Sequence, residues 1–100
     1  MVLVIDTKNQ KVIAVSLKKK GKIIRSLREE NQFGSQILLP LIEKILKQEK
    51  IDFKDLREIA VETGPGSFVG LRVGVSVANA LGYSLKIPVN GKKRESDLVY

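Results

Sequence analysis

The 100-residue sequence contains no cysteine, no histidine and no tryptophan, and aromatic residues make up only 5% of it. Without cysteine the chain forms no disulfide, which fits a reducing compartment such as the cytoplasm. The lack of cysteine and histidine also excludes a Cys/His zinc site, Ser–His and Cys–His catalytic pairs, and a histidine general base. These absences remove the most familiar catalytic arrangements before any motif is considered.

Positive charge is what the chain has in excess: 18 Lys and Arg against 11 Asp and Glu, a formal net charge of +7. Such an excess favours an acidic partner, nucleic acid above all, although it also keeps a small domain soluble. The length allows one domain, and 43% hydrophobic residues are typical of a globular one. We expect a cytoplasmic protein with neither a secretory signal nor a membrane span, because the apolar stretch 68–85 contains Arg72 and Asn79 and is better interpreted as a buried helix.

Hydrophobic patterning predicts the element order β-β-β-α-β-α-β. The predicted strands are Val2–Ile5, Lys11–Lys18, Lys22–Arg28, Glu58–Glu62 and Ile87–Asn90. The predicted helices run from Ser35 to about Glu49 and over Phe68–Leu85. Because strands separated by helices are usually parallel, the pattern predicts an α/β fold with a mixed five-stranded sheet. This is a single lobe of the ASKHA (actin/Hsp70/hexokinase, ribonuclease-H-like) architecture over residues 1–100, with Gly91–Tyr100 as a polar tail that could be flexible.

The first predicted helix is apolar over an unusually wide arc. At 100° per residue its aliphatic side chains cover roughly 200°, about twice the stripe that one core requires. Excess apolar surface on a small chain favours contact with a partner. The candidate interface residues on this helix are Ile37, Leu38, Leu41, Ile42 and Ile45.

The second predicted helix carries a ladder of small residues at four-residue spacing, namely Gly70, Gly74, Ala78 and Gly82. Glycine inside a helix costs about 1 kcal/mol relative to alanine, so the ladder indicates a close approach by another backbone. Two interpretations remain open: the ladder packs within the monomer, or it meets a helix of another chain. For the second interpretation the candidate interface residues are Gly70, Arg72, Gly74, Val77, Ala78 and Leu81. A narrow polar stripe on the same helix consists of Arg72, Ser76, Asn79 and Tyr83.

Two segments are candidates for binding phosphate. The turn at 64–67 precedes the second helix, and helix N-termini bind anions, although a turn with Ser67 as N-cap explains the same residues. Asp6 and Thr7 end the first strand, where open α/β sheets place ligands, although an Asx or ST turn is an equal alternative. The candidate phosphate-binding residues are Asp6, Thr7, Gly64, Gly66 and Ser67. We identify no metal site and no catalytic acid–base pair.

Cations cluster in two places. Six of them lie in Lys18–Arg28 with no acid between them, and Lys92–Lys93–Arg94 forms a second cluster. Lysines at a hairpin tip are commonly solvated and protect an edge strand. The alternative is a footprint for the RNA backbone, although interleaved aromatic residues for base stacking are missing from the hairpin.

Several segments together resemble the TsaB (YeaZ) family of bacterial tRNA threonylcarbamoyladenosine subunits. They are Val4–Ile5–Asp6–Thr7, Gln36–Ile37–Leu38–Leu39–Pro40, Ile87–Pro88–Val89 and the most specific block, TGPGSFVGLRVG at 63–74. The similarity covers nearly the whole chain but only the family's N-terminal lobe. Val69 stands where the family commonly has threonine, and a histidine that often precedes the first helix is missing from Phe33–Gly34–Ser35.

The resemblance implies a non-catalytic subunit that pairs with the catalytic TsaD subunit through the first two helices and works with the TsaE ATPase, or forms a homodimer in isolation. In the ASKHA fold nucleotide lies between two lobes, so we expect no cofactor of its own, and ATP or ADP only within a complex. Contact with tRNA is expected to be indirect or weak. Two other functions remain open: the nucleotide-binding half of a split ASKHA phosphotransferase, dependent on Asp6 and Thr7, and an RNA-binding accessory module that uses the Lys18–Arg28 hairpin.

Overall fold

The computed structural model describes residues 1–9, 11–30 and 35–96 and has the predicted α/β fold. Its strands are β1 (Val2–Asp6), β2 (Val12–Lys19), β3 (Lys22–Glu30) and β4 (Glu58–Val61). Its helices are α1 (Ser35–Gln48) and α2 (Phe68–Leu85), with a short 3-10 turn at Phe53–Asp55. The single-lobe prediction of an α/β fold with a mixed sheet is confirmed, and these elements begin and end within a few residues of their predicted bounds.

The strands form one mixed sheet in the order β3-β2-β1-β4. β1 pairs antiparallel with β2 and parallel with β4, and β2 pairs antiparallel with β3. Lys20 and Gly21 make the tight turn between β2 and β3, both with positive φ, a conformation that glycine adopts at little cost. β4 runs parallel to β1 because α1 carries the chain back across the sheet before β4 begins.

One face of the sheet is covered by both helices. α1 packs on β2 and β3, α2 packs on β1 and β4, and the two helices touch each other. The alternation of the strands places aliphatic side chains on this face, where they join the helices in one core. The buried strand residues are Leu3, Ile5, Ile13, Val15, Leu17, Ile59 and Val61.

The wide apolar arc of α1 belongs mainly to this core. Leu38, Leu41, Ile42 and Ile45, four of the five interface residues predicted on this helix, are at most 3% exposed. The prediction that the arc exceeds the needs of the core is therefore wrong at these positions. The physical reason is that α1 lies over two strands with α2 beside it, so the flanks of its arc are covered as well as its centre.

The predicted fifth strand is reduced to a parallel bridge between Val89 and Ile59. The side chain of Asn90 accepts from Val61 N at 2.8 Å and donates to Val61 O at 3.0 Å, so it occupies the backbone groups that a continuing strand would use. Asn90 has φ 52°, and the chain then turns back so that Val89 and Lys92 exchange two backbone hydrogen bonds. Residues 91–96 of the predicted tail are thus folded, while 97–100 lie outside the described residues.

Among the described helices, α2 is long and apolar enough to span a membrane, a test that core helices of soluble proteins also pass. Its buried side carries Gly70, Leu71, Gly74, Val75, Ala78 and Gly82 and packs on the sheet. The length and composition of α2 are therefore accounted for by its place in the core.

Candidate functional site

The first turns of α2 are docked on the end of β1. Thr7, only 1% exposed, donates its hydroxyl hydrogen to the carbonyl oxygen of Gly70, with an O···O distance of 2.5 Å. A Cβ atom at Gly70 would overlap the Thr7 carbonyl oxygen, and one at Gly74 would overlap Thr7 Oγ1. The ladder of small residues therefore permits close contact within the monomer, and of the two open interpretations the structure supports this one.

The fourth ladder residue makes the same kind of contact at the other end of α2. A Cβ at Gly82 would lie 2.6 Å from Val89 Cγ2, which is too close for a real contact. Ala78, between the two ends, is completely buried. Gly70, Gly74 and Ala78 were predicted as interface residues, and that prediction is corrected, since each is buried against the sheet of its own chain.

The turn before α2 is fixed by the loop that follows β1. Ser67 N donates to Lys8 O at 2.8 Å, and a Cβ at Gly66 would lie 2.7 Å from Lys8 O, so only glycine fits this crossing of two backbones. Ser67 Oγ accepts from Gly70 N at 3.2 Å and caps the helix. Gly64 has φ 120° and precedes a cis peptide bond to Pro65.

Four of the five candidate phosphate-binding residues are brought together at this edge of the sheet, namely Asp6, Thr7, Gly66 and Ser67, and Gly64 stands two residues before Gly66 in the same turn. Their chemistry is nevertheless accounted for locally: Asp6 accepts from Lys8 N at 3.1 Å in an Asx turn, and Lys8 Nζ lies 3.8 Å from Asp6 and 3.9 Å from Glu62. Two carboxylates beside the turn lower the electrostatic potential that a phosphate would meet. Phosphate binding by these residues stays a prediction, and the turn-and-cap interpretation explains their positions.

Four of the predicted interface residues keep some exposure. Arg72 is exposed, and Ile37, Val77 and Leu81 are half-buried. The sequence reasoning missed the exposed apolar residues of the same two helices: Phe68 is 51% exposed, Val69 is 62% exposed and Leu39 is 41% exposed. Phe68 and Val69 stand inside the TGPGSFVGLRVG block, so their place in that motif was the available signal.

A buried carboxylate was also missed. Glu95 is 4% exposed, and its carboxylate accepts from Asn90 Nδ2 at 2.9 Å and lies 3.3 Å from Lys92 Nζ. Asn79 of α2 holds the backbone of Glu95 on both sides, donating to its carbonyl at 2.8 Å and accepting from its N–H at 2.7 Å. The sequence identified Asn79 as part of the polar stripe, but it placed Glu95 in the polar tail and gave no sign that the two residues are in contact. In the described part of the chain no group of Asp and Glu side chains is arranged to hold a metal ion.

The family model described as "TsaD: tRNA N6-adenosine threonylcarbamoyltransferase" matches residues 29–91, which include both helices, β4 and the capped turn. The chain belongs to this family. The relatives that align over most of its length carry the name TsaB, and it is recognised as a member of the TsaB (YeaZ) group.

Three comparisons show the extent of the likeness. The tRNA threonylcarbamoyladenosine biosynthesis protein TsaB of Buchnera aphidicola subsp. Schizaphis graminum is 40% identical over 92 residues, 91% of this chain and 43% of that protein. The tRNA N6-adenosine threonylcarbamoyltransferase of Nitrosospira multiformis is 50% identical over 54 residues, 54% of this chain and 16% of that enzyme. The solved structure of YeaZ from Pseudomonas aeruginosa superposes with a TM-score of 0.79 at 29% identity, covering 88% of this chain and 41% of its own. The chain therefore spans less than half the length of the TsaB relatives that it matches.

Proposed function

We propose that this chain forms the N-terminal lobe of a non-catalytic TsaB-like subunit. In this role it binds and supports a TsaD-like threonylcarbamoyltransferase during formation of threonylcarbamoyladenosine in tRNA. Support comes from the TsaB names of the relatives that align over about nine-tenths of the chain, and from the match to the TsaD family over residues 29–91.

The observation that carries the proposal is an exposed apolar strip on the outer side of α2, defined by Val69, Val73 and Val77, which lie within about 80° of one another around the helix. Val69 is 62% exposed, and Val73 and Val77 are half-buried beside it on the helix. Exposed apolar residues that are contiguous on one helix are typical of a protein–protein contact. The buried side of the same helix packs on the sheet, and Val73 and Val77 also touch the core with part of their surface. Val69 and the outer parts of these two valines are what remains for a partner.

A non-catalytic role is supported by what the polar side chains of the motif do. The hydroxyl of Thr7 is buried and bonded to Gly70 O, and the hydroxyl of Ser67 caps α2. Both groups therefore serve the docking of one helix. Under this proposal the active site of the complex is provided by the TsaD-like partner.

Three finer points belong to the same proposal. The complex includes a TsaE-like ATPase, and the isolated chain forms a homodimer through the apolar strip when its partner is missing. ATP or ADP binds only within the complex, because one lobe supplies only one wall of an ASKHA nucleotide cleft. Each point extends what the TsaB and TsaD names of the relatives imply.

The proposal is tested by measuring complex formation between this chain and the TsaD-like protein of the same genome, by calorimetry and size exclusion at micromolar concentration. Val69→Asp places a charge in the strip, where desolvating an unpaired carboxylate is costly, and we expect affinity to fall more than about tenfold. Asn9→Asp is the matched control, since it adds the same charge on an exposed turn and keeps the acceptor oxygen that Lys11 N uses. No complex with the unchanged chain, or equal affinity for both variants, contradicts the proposal.

A further inference from the structure

A cleft of about 730 Å³ opens between α2 and the folded segment 93–96. One wall is the polar stripe of α2, and the other is formed by Lys93, Arg94 and Ser96, with the side chain of Val75 between them. This cleft lies on the side of α2 that carries Arg72 and Tyr83, whereas Val73 and Val77 lie farther around the helix. The cleft is therefore a second surface, separate from most of the exposed apolar strip.

The outer wall of the cleft is held in place by buried polar contacts. The amide of Asn79 makes hydrogen bonds to both backbone groups of Glu95, and the buried Glu95 carboxylate is bound by Asn90. Asn90 is in turn fixed to the backbone of Val61 in β4. Lys93 and Arg94 immediately precede this anchored residue, so their backbone is positioned before any ligand arrives.

The cleft is strongly cationic. Arg72, Lys93 and Arg94 line it and are exposed, and the one acidic lining residue, Glu95, directs its carboxylate to Asn90 and Lys92. Within residues 1–9, 11–30 and 35–96, no ion pair involves these three cations. Three cations around one concave surface favour a polyanion.

An aromatic side chain in the same cleft narrows the class of polyanion. Tyr83 is 86% exposed and lines the cleft together with Lys93. Single-stranded nucleic acid is bound by cations along its backbone together with aromatic rings on which bases stack. An acidic peptide would satisfy the cations but would leave the ring without a role. The basic β2–β3 hairpin carries cations from Lys18 to Arg28 but no aromatic residue, so the two basic regions differ in this respect.

We propose that this cleft binds single-stranded RNA, with Tyr83 stacking on a base and Arg72, Lys93 and Arg94 contacting the flanking phosphates. The ligand class follows from the pairing of an exposed ring with three cations on a preformed wall. The site lies on the lobe itself and does not require the TsaD-like partner. RNA binding therefore goes beyond the proposed function and is tested independently of it.

The test uses the full 100-residue chain and a fluorescein-labelled single-stranded oligoadenylate of about eight nucleotides, a length within the usual site size of such surfaces. Binding is followed by fluorescence anisotropy over a range of salt concentrations. We expect the double variant K93Q/R94Q to lose about tenfold in affinity at low salt. Its salt slope should fall by about 1.4, since each phosphate contact on a single strand contributes about 0.7.

Matched variants separate the cleft from the overall charge. K19Q/K20Q removes the same number of cations from the hairpin, and we expect a loss of less than about twofold there. Tyr83→Ala should weaken binding about tenfold, whereas Tyr83→Phe, which keeps the ring, should bind as the unchanged chain does. These positions are exposed, and unchanged thermal melts will confirm that each variant is folded.

Three results would overturn the proposal. Equal losses for the two double variants would mean attraction by net charge alone. Unchanged binding by Tyr83→Ala would remove the stacking contact, and stronger competition by polyglutamate than by unlabelled RNA would identify an acidic peptide as the occupant. Each result leaves the complex with the TsaD-like protein, measured with Val69→Asp, to be judged on its own.

Discussion

The two helices pack on the same face of the sheet by opposite means. α1 uses large aliphatic side chains, among them Leu38, Ile42 and Ile45, which are completely buried over β2 and β3. α2 packs through glycines: because Gly70 and Gly74 have no side chain, its backbone touches Thr7 at the end of β1. The first helix is stabilised by large side chains that fill the core, and the second by the close approach of its backbone to the end of β1.

This difference explains which helix retains surface for other molecules. The Leu and Ile side chains on the wide arc of α1 are covered by the strands, by α2 and by one another, so most of the apolar surface of α1 is buried in the core. A helix that lies close to a sheet through glycines keeps its larger residues on the outer side, and α2 exposes Phe68, Val69 and Tyr83 there. The exposed apolar strip and the α2 wall of the cationic cleft both lie on this outer side of the helix.

The largest effect should come from filling the space that the ladder leaves open. Gly74→Leu would force a side chain into the buried Thr7, which directly follows β1 and is bonded to Gly70 O. We expect a loss of at least about 4 kcal/mol in the free energy of unfolding, above the ~1 to 3 kcal/mol that is usual for overpacked cores, because the helix and the end of β1 would both have to shift. Urea denaturation followed by circular dichroism will measure it.

The control for this prediction is Ala80→Leu, which adds a large side chain to the exposed side of the same helix. It should change stability by less than about 0.5 kcal/mol. If instead Gly74→Leu remains folded and loses only its ability to associate, the ladder faces another chain and the comparison between the helices is reversed.

A loss of similar or smaller size is expected when a side chain is removed from α1. Ile42→Ala leaves a cavity beneath the helix, which typically costs about 2 to 5 kcal/mol for a fully buried aliphatic residue. Leu39→Ala on the same helix removes a partly exposed side chain and should cost less than about 1 kcal/mol. Thermal and urea unfolding of the pair will check both values, and equal losses would mean that α1 is not seated as described.

The sequence was sufficient to place the helices and most of the strands, because their periodicity is a local property. It could not decide how far around α1 the core extends, since that depends on α2 lying beside it. It also could not show that Asn90 would end the sheet by binding Val61, or that Glu95 would be buried against Asn79. These contacts join residues that are 29 and 16 positions apart, and no spacing rule predicts such pairs.

In the candidate site, too, local features were predictable from the sequence and contacts between distant residues were not. The motif around Gly70 was recognisable from its residues, but whether its glycines faced inward or toward a partner depended on where Thr7 lay. The exposed ring of Tyr83 was visible as part of a polar stripe, but its cationic neighbours Lys93 and Arg94 lay in a segment with no periodicity. Only the folding back of 91–96 brings the two together.

The smallest effect is expected at Ser67, where the turn before α2 is interpreted either as a helix cap or as a phosphate site. Ser67→Ala removes the oxygen that accepts from Gly70 N, and the loss of an N-cap costs about 1 kcal/mol. Ser76→Ala, on the exposed side of α2, is the matched control and should be neutral or slightly stabilising.

Ser67→Asp makes the distinction between a cap and a phosphate site. Aspartate is as good a cap as serine and its charge suits a helix N-terminus, so the stability lost in Ser67→Ala should be retained in this variant. The same charge would repel a bound phosphate, and any rise in melting temperature that inorganic phosphate gives to the unchanged chain would disappear. A melting temperature that does not respond to phosphate in the unchanged chain, together with a stable Ser67→Asp, assigns the turn to the docking of α2 alone. The difference between the two helices would then rest on packing throughout, with ligands confined to the outer side of α2.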